Sequence, residues 1–506
     1  MPSIVNTLRT PAARLVLLGA AVAIAAIAAW GGPGGTVTGE PSDAAAVQYV
    51  RKHRLDLGAP GIAVAIVHGH DTTLGAAGDV TTDNPFVLGS ATKSFTALAV
   101  LQLAEAGRVR LDDPAVHYVE DFATSNRSAS DRITLRQLLS HTSGLSTAAG
   151  VDPLAGPQTT LHRQVLALRA VAAGPPGTFA YSNANYEVLG DVIEHVTGTS
   201  YGSYLQTHVL APLGMTHTYT DLTTARAHGM TRAHRIWYGV GIGDAPWYRA
   251  DFLPAGFLIS TVGDLAHYLS ALLDGGRYQG RSVLSAAGVR ALTAPATTAA
   301  LWGVRGGYGF GWYQRPTAGQ DLLVDPGIAR DSHADLILVP QRHLGIVVLS
   351  DAESALYVAT IPKFDLLAVN VAGIAADGSA LVGLVEGFYL IFDVIAFAVL
   401  TLYLVILVRV IRSREPGLAG RPWYRRLVTA WRELVVPLVI LLRLPDVFGQ
   451  PWHTLIRGDV GLVAALISIL GIATIVARAV FALRPSTAPH SKSSARDDVA
   501  PTMARP

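Results

Sequence analysis

The sequence predicts an α+β domain followed by an α-helical membrane region. Two segments rich in Val, Ile and Leu, 61–80 and 334–351, each surround a polar turn and are typical of β-hairpins. Much of the sequence between them places apolar residues at helical spacing. Half of the 506 residues are hydrophobic and only 15% are charged, which is too apolar for an ordinary soluble protein.

The order of the elements within the first 377 residues supports this class. Segment 42–57 has the pattern of a capped amphipathic helix. Segment 94–107 has helical spacing up to Gly107, a suitable C-cap. Because hairpins lie at both ends, we expect the terminal strands to share one sheet with a helical insertion between them. The Ala/Thr-rich stretch 291–300 predicts a loop.

Composition excludes several classes of function. A formal net charge of +2 indicates no basic surface for nucleic acid. The chain has no cysteine, which excludes disulfides, zinc–thiolate sites and thiol catalysis. Nothing in the composition implies a metal ion or an organic cofactor.

The N-terminal region, residues 1–35, has the pattern of a secretion signal. Arg9 and Arg14 precede an apolar run over 15–30, and a Gly/Pro-rich break follows. The segment is predicted to be a signal peptide cleaved near residues 28–29, or a retained signal anchor. A buried core helix is disfavoured, because nothing else in this region would cover it.

Long apolar segments indicate a membrane region over residues 378–485. Segments 387–408 and 459–483 are each long enough to span a bilayer. Segment 434–448 is interrupted by two prolines and an arginine; we expect it to span as well, with a re-entrant or interfacial segment as the alternative. Asp393 lies in the first turns of its span, so an interfacial position accounts for it.

Arginines orient these segments. Seven arginines between residues 409 and 432 indicate a cytoplasmic loop by the positive-inside rule. Three spans would then return the C-terminal tail, residues 486–506, to the cytoplasm, where we expect it to be disordered. The domain formed by residues 36–377 is therefore predicted to lie outside the cytoplasm, as the N-terminal signal also indicates.

The stretch FVLGSATKSFT, residues 86–96, carries a possible catalytic pair. Lys93, one of only four lysines in the chain, lies three residues after Ser90 at the start of the predicted helix. At this spacing the two side chains share one helix face, and a neutral amine can take the proton of a hydroxyl. The helix N-terminus adds positive potential where an oxyanion would form. On spacing alone, an ordinary N-cap serine with a surface lysine would be the preferred interpretation.

Further segments in order along the chain carry a family resemblance. The nucleophile segment 86–114 is followed by ITLRQLLSHTSGL at 133–145, by 175–215 with its Tyr-Ser-Asn motif, and then by AGFLISTVGDLAHYLSALLDGG and GYGFGW. Together they resemble serine hydrolases of the class C β-lactamase or penicillin-binding-protein-like family over about residues 60–349. The resemblance implies a β-lactamase/transpeptidase-like fold: an antiparallel sheet flanked by helices, with a helical subdomain.

The resemblance also implies roles for individual residues. Ser90 is the acylated nucleophile, and Lys93 and Tyr181 share the proton transfers. Asn183 orients Lys93 or the substrate amide. A tyrosine acts as a base only if its pKa falls well below about 10, which nearby cationic amines would achieve. The alternative for Tyr181 and Asn183 is turn chemistry after Pro-Pro-Gly. His141 is expected to be structural.

One motif departs from the family pattern. The third motif is usually Lys-Thr-Gly or His-x-Gly, whereas Asp325-Pro326-Gly327 stands here. Asp325 would repel a substrate carboxylate and raise the pKa of a neighbouring tyrosine. Pro326 would remove a backbone donor from an edge strand. By position, the oxyanion amide falls at Ile328. The expected substrate-binding residues are Asn183, Asp325, Gly327 and Ile328.

Two classes of function follow. The first is a membrane-anchored, extracytoplasmic acyl-enzyme hydrolase acting on peptides, amides or esters rather than as an efficient β-lactamase. The second is a catalytically impaired relative that binds cell-envelope fragments or serves as a sensor. The implied partners are a small-molecule, peptide or ester substrate and the lipid bilayer. Arg330 or His333 would be alternative cations near the site, and the sequence leaves the oligomeric state open.

Overall fold

The structure is a computed structural model of the chain. It describes residues 34–150, 157–301, 303–316, 321–354, 363–382, 388–413, 429, 438–440, 442 and 459–482. The predicted signal segment up to residue 33, most of segment 434–448 and the tail 486–506 lie outside the described residues. The chain divides into two compact units, Met1–Ala398 with Arg443–Val463, and Val399–Leu442 with Ala464–Pro506.

The strands are short to medium in length, and eight of them form the main sheet of the first unit. They are β1 (Gly34–Thr38), β2 (Gly61–His68), β3 (Asp71–Gly78), β4 (Phe86–Val87), β5 (Ala233–Trp237), β6 (Val240–Asp244), β7 (Ile259–Ser260), β8 (Arg277–Tyr278), β9 (Arg281–Ser282), β10 (Thr297–Leu301), β11 (Val304–Tyr308), β12 (Tyr313–Pro316), β13 (Asp321–Ile328), β14 (His333–Val339), β15 (Leu344–Ser350), β16 (Ala352–Glu353) and β17 (Ser379–Val382).

The α-helices fill the middle of the chain and its C-terminal part. They are α1 (Asp43–His53), α2 (Thr92–Glu105), α3 (Arg127–Ser130), α4 (Leu135–Leu139), α5 (Leu161–Ala167), α6 (Asn183–Thr197), α7 (Tyr201–Leu205), α8 (Leu222–Ala227), α9 (Leu253–Gly256), α10 (Val262–Leu273), α11 (Ala286–Thr293), α12 (Lys363–Asp377), α13 (Phe388–Ser413) and α14 (Asp459–Ala482).

The main sheet has eight strands in the order β10-β11-β12-β13-β14-β15-β2-β3, and every neighbouring pair is antiparallel. Both predicted hairpins are confirmed, as β2–β3 and β14–β15. Strands β15 and β2 pair from Leu344↔His68 to Ser350↔Ile62. The ends of the domain therefore meet in one sheet, and the predicted α+β class, an antiparallel sheet flanked by helices, is confirmed.

Both faces of the sheet are covered by other elements, and the side chains of β2 point alternately to the two faces. Ala63, Ala65 and Val67 face the larger core, which contains the buried residues of α2, α6 and α10. Ile62, Val64 and Ile66 face a smaller core built with α1 and α12. Because successive side chains of a strand point to opposite faces, a strand buried on both faces is apolar throughout. The predicted catalytic segment lies on the side of the larger core.

Two local expectations have different outcomes. The helix expected over 42–57 is α1, whose N-cap Ser42 accepts a hydrogen bond of 3.2 Å from the amide of Ala45. The loop expected over 291–300 is wrong. The first three of these residues end α11, and Thr297–Leu301 forms strand β10, which pairs with Val304–Tyr308. A partner strand nearby in sequence outweighs the weak strand propensity of alanine here.

Helices α13 and α14 coincide with the two clear apolar segments of the sequence. Within them Asp393–Arg412 and Gly461–Phe481, of 20 and 21 residues, are long and apolar enough to cross a membrane. Asp393 lies in the second turn of α13, which agrees with its expected position near one end of the span.

Candidate active site

Ser90 lies on a tight turn between the sheet region and helix α2. The 3₁₀ turn Gly89–Ala91 follows β4, and α2 begins at Thr92. Gly89 has φ +53°, and a Cβ there would come within 2.7 Å of the backbone N and C of Ile328. Glycine therefore allows the turn to pack directly against β13. This packing brings Ile328, the predicted oxyanion residue, beside Ser90.

Lys93 is inside the protein, not on its surface. The side chain is 1% exposed, and its Nζ lies 3.0 Å from the Oγ of Ser90. The amine also donates to the carbonyl oxygen of Ala255 in α9, at 2.5 Å. These contacts exclude the alternative of an N-cap serine with a surface lysine.

Burial changes the protonation of Lys93. Removal of its amine from water lowers the pKa from 10.5 to about 7, and the nearby acids Asp325 and Glu187 partly oppose this shift. At neutral pH a substantial fraction of the amine is therefore unprotonated. Such an amine, 3.0 Å from a serine hydroxyl, can accept the proton of that hydroxyl.

Tyr181 lies close to both Ser90 and Lys93. A hydrogen bond from the Ser90 hydroxyl favours a lower pKa of the phenol, and the Nζ of Lys93 lies 5.0 Å from the centre of the Tyr181 ring. Burial raises the pKa of Tyr181 well above 10, and Tyr313 and Asp325 add to the rise. The lowered pKa that a tyrosine base requires is therefore absent, and Tyr181 remains protonated. Asp325 was expected to raise the pKa of a neighbouring tyrosine, and its effect on Tyr181 has that direction.

Asn183 and His141 support the same corner of the site. Asn183 is the first residue of α6, and its buried Oδ1 has no hydrogen-bond partner among the described residues. His141 is fully buried, and its Nδ1 accepts from the amide of Ser182 at 3.2 Å. The same nitrogen lies 2.9 Å from the Nδ2 of Asn185. His141 thus fixes the turn that carries Tyr181, which is a structural role.

The third motif lies on β13 with Asp325 facing the lysine. Asp325 is 1% exposed, its Oδ2 has no hydrogen-bond partner among the described residues, and burial raises its pKa well above the ordinary value. The expectation of an edge strand needs correction. Strand β13 lies between β12 and β14, but β12 pairs only with its first half, Asp321–Val324. Pro326 therefore sits where one side of β13 has no partner strand, so its missing donor breaks no ladder bond there.

Gly327 is required by close packing. A Cβ at this position would overlap the carbonyl oxygen of Leu88 and lie 2.9 Å from the amide of Ala91. The contact presses β13 against the turn that carries Ser90. Ile328 follows at the rim, with its side chain 38% exposed.

The alternative cations are engaged elsewhere. The Nη2 of Arg330 lies 2.8 Å from the carboxylate of Asp244. The ring of His333 is buried between the carboxylates of Glu353 and Asp335, at 2.6 and 2.9 Å. Both side chains are already paired with carboxylates, so neither supplies the positive charge that a Lys or His of the usual third motif would provide.

Aromatic side chains form one wall beside Tyr181. The ring of Tyr313 lies 4.7 Å from that of Tyr308, and Phe179 lies 5.3 Å from Tyr308. Phe179 and Tyr313 remain partly exposed. They provide an apolar surface that a substrate side chain can contact.

Glu187 is a residue that the sequence interpretation missed. It lies four residues after Asn183 on α6, is fully buried, and has both carboxyl oxygens without a hydrogen-bond partner among the described residues. Burial raises its pKa to about 8. Its spacing from Asn183 places both on one helix face, and this was the available signal.

Ser90, Lys93 and Tyr181 lie together beside an antiparallel sheet, which is the arrangement that the resemblance implies for a serine hydrolase. A model of the Beta-lactamase family matches residues 45–369, which is more than half of the chain. The chain therefore belongs to the Beta-lactamase family of hydrolases, and the family resemblance noted in the sequence is confirmed.

Individual relatives agree with this membership. The chain is 25% identical over 361 residues to Protein flp of Staphylococcus aureus (strain COL), covering 71% of each protein. A D-stereospecific amidohydrolase from Streptomyces sp. is 26% identical with a TM-score of 0.51, covering 62% of this chain and 95% of that one. A class C β-lactamase from Rhodobacter sphaeroides shares the fold, with 20% identity, a TM-score of 0.52, and coverage of 65% and 98%.

The close contact at Gly327 gives a stability prediction. Gly327→Ala should lower the free energy of unfolding by about 2 kcal/mol or more, because the new methyl group meets backbone that cannot move without shifting the Ser90 turn. Thermal unfolding of the full-length protein in detergent measures this. Gly243→Ala is the matched control, since a Cβ there would have nothing within 4 Å. Equal melting temperatures for the two variants would contradict the assigned packing.

Proposed function

We propose that the protein is a membrane-anchored, extracytoplasmic serine hydrolase that forms an acyl-enzyme on Ser90 and acts on amides, peptides or esters. The observation that carries the proposal is the buried Lys93 amine, 3.0 Å from the Ser90 hydroxyl and with a pKa lowered to about 7. It gives the serine a base that is available at neutral pH.

Acylation then proceeds with the proton and electron pair accounted for. Neutral Lys93 takes the hydroxyl proton as the Ser90 Oγ bonds to the substrate carbonyl carbon, and the carbonyl electron pair moves to oxygen. In this scheme the backbone amides of Ser90 and Ile328 donate to that oxyanion, which the packing of the Ser90 turn against Ile328 supports. When the intermediate collapses, the bond to the leaving group breaks, and the leaving group takes a proton that originates on Lys93.

Tyr181 serves as a relay in this scheme and never as a free phenolate. Its raised pKa keeps the hydroxyl protonated, and its closeness to Ser90 supports a role in carrying a proton to the reacting atoms. The hydroxyl can pass its proton to the leaving group and receive one from Lys93 in return. In deacylation water attacks the ester carbonyl carbon and Lys93 accepts the water proton; the bond to the Ser90 Oγ then breaks, and Lys93 returns that proton to the Oγ.

The substrate class follows from the charges around the serine. Asp325 in place of a cation leaves a substrate carboxylate without a positive partner, whichever protonation state the aspartate has. The Oδ1 of Asn183 is a buried acceptor suited to an amide N–H. The wall of Phe179 and Tyr313 suits an apolar acyl group. Neutral or cationic amides and esters are therefore preferred, and the 26% identity to a D-stereospecific amidohydrolase supports amides.

The location rests on several features of the chain. Helices α13 and α14 contain segments that are long and apolar enough to span a bilayer. The signal-like segment 1–35 and the arginine-rich loop between residues 409 and 432 support an extracytoplasmic domain.

A catalytically impaired binding protein is the second candidate. The observation that favours it is the loss of the usual third-motif cation together with the raised pKa of Tyr181. In that case the aromatic wall and Asn183 would hold a cell-envelope fragment without turning it over.

Covalent labelling separates the two candidates. A fluorophosphonate probe should label the full-length protein in membranes, and Ser90→Ala should abolish the labelling. Lys93→Ala should slow it by at least about 100-fold, the usual size of general-base effects. Ser128→Ala and Lys52→Ala, both exposed, are the controls and should label normally. An unlabelled wild-type protein would support the binding function instead.

The pH dependence tests Lys93 as the base. Because the unprotonated amine is the reactive form, kcat/KM for a neutral ester should rise about tenfold per pH unit below pH 7 and level off above it. A stopped-flow ester assay measures this profile. A rate that falls as pH rises through 7 would contradict the assignment.

The Asp325→Asn variant, measured in the same pH-dependent assay, tests the effect of the Asp325 charge on the pKa of Lys93. The Asp325 charge raises the pKa of Lys93, so its removal should move the rise in rate to lower pH. Asp321→Asn, on the same strand, is the control and should leave the profile in place.

Competition with β-lactams tests the substrate class. Benzylpenicillin should acylate Ser90 at least about 100-fold more slowly than its uncharged methyl ester, because its carboxylate finds no cation at the third motif. Competition of each compound against the fluorescent probe gives the two rates. Rapid acylation by the free carboxylate would refute the role given to Asp325.

A further inference from the structure

Away from Ser90, two histidines and a buried aspartate meet where α5 packs on α6. Asp191 and His195 lie four residues apart on α6, so they share one helix face, and His162 reaches them from α5. Asp191 is about 12 Å along the helix from Asn183, since each residue advances the helix by 1.5 Å. The hydrolytic scheme uses none of these residues.

The distances bring the polar atoms into one cluster. The Nδ1 of His162 lies 2.9 Å from Asp191 Oδ2, and the Nδ1 of His195 lies 3.2 Å from Asp191 Oδ1. The two imidazole rings are 5.0 Å apart. One nitrogen from each histidine and one oxygen of Asp191 all lie within 4.8 Å of one another.

The aspartate is the unusual member of the cluster. Its side chain is fully buried, while the two imidazoles are 33% and 39% exposed. Its Oδ1 has no hydrogen bond of suitable geometry among the described residues. A buried carboxylate oxygen without a donor is costly, and a proton on His162 satisfies only the other oxygen. A cation bound between the two rings would satisfy Oδ1.

We propose that His162, Asp191 and His195 form a zinc-binding site on the surface of the helical region. Two imidazole nitrogens and a carboxylate oxygen are a donor set that Zn²⁺ prefers, and the exposed side of the rings leaves a fourth position for water. The ion ties α5 to α6.

Groups next to the imidazole rings of His162 and His195 favour zinc binding by these rings. The Nε2 of His162 lies 3.3 Å from Asp121 Oδ2, an acceptor of the kind that orients a metal-binding histidine through its second nitrogen. The Nδ1 of His195 lies 2.9 Å from the carbonyl oxygen of Asp191. Glu194, whose Oε1 accepts from the amide of Tyr201 at 2.8 Å, is a further carboxyl group close to the two histidines.

Calorimetric titration of zinc chloride into the chelator-treated full-length protein in detergent tests the site. One equivalent should bind tightly at near-neutral pH, and X-ray absorption at the zinc edge should show two imidazole ligands. Because each ligand contributes strongly, His195→Ala should weaken binding by at least about 100-fold, and His162→Ala likewise. The melting temperature of the wild-type protein should rise with zinc, whereas that of His195→Ala should not.

The controls assign the metal to this cluster. His217→Ala removes an exposed histidine that faces a different carboxylate, Asp264, and should bind zinc like the wild type. A buried group of His333, Asp335 and Asp365 offers similar atoms, and His195→Ala leaves it intact. Tight binding that survives His195→Ala would overturn the proposal, as would a wild-type protein that binds no zinc. Probe labelling of Ser90 in the same samples reports separately on the hydrolase.

Discussion

The removal of one lysine amine from water is the constraint on which this site depends. Lys93 has the hydroxyl of Ser90 and the carbonyl oxygen of Ala255 as partners, and its pKa falls to about 7 because bulk solvent is excluded. An arginine would remain charged in the same place. Exclusion of water depends on close backbone packing, and the glycines at 89 and 327 permit it by letting the Ser90 turn and β13 touch.

The same exclusion of water affects the acids around the lysine. Asp325 and Glu187 approach Lys93 from different elements, β13 and α6, and burial raises the pKa of both. A negative charge on either acid raises the pKa of the amine, so the protonation of Lys93 depends on that of its two acidic neighbours. Replacement of the usual third-motif cation by Asp325 is therefore more than a change in substrate contact. It makes the protonation of Lys93 responsive to its acidic neighbours.

How far the sequence predicts this structure depends on whether the determining contacts are local. The hairpins were predictable, because each is set by residue spacing within one element. The Ser90–Lys93 spacing is also local, but the catalytic interpretation of the pair required the family resemblance of several further segments. For Glu187 the sequence offers only the helix face that it shares with Asn183. Its burial was not predictable, since it arises only when α6 packs against α2 and α9 from distant parts of the chain. The pairing of Arg330 with Asp244 and the raised pKa of Tyr181 also depend on tertiary packing. The strand β10 exists because β11 is there to pair with it.

The strands at the two ends of the catalytic domain have a consequence for its use as a module. Strands β1 and β17 are antiparallel, and Gly34 is paired with Val382. Paired Cα atoms in such a ladder are about 5 Å apart, so the chain enters and leaves the domain at almost the same point. A cassette cut at these residues has the end-to-end spacing that a surface loop of a host protein can accept without distortion. The domain is thus suited to insertion into another protein, because its first and last strands already pair with each other.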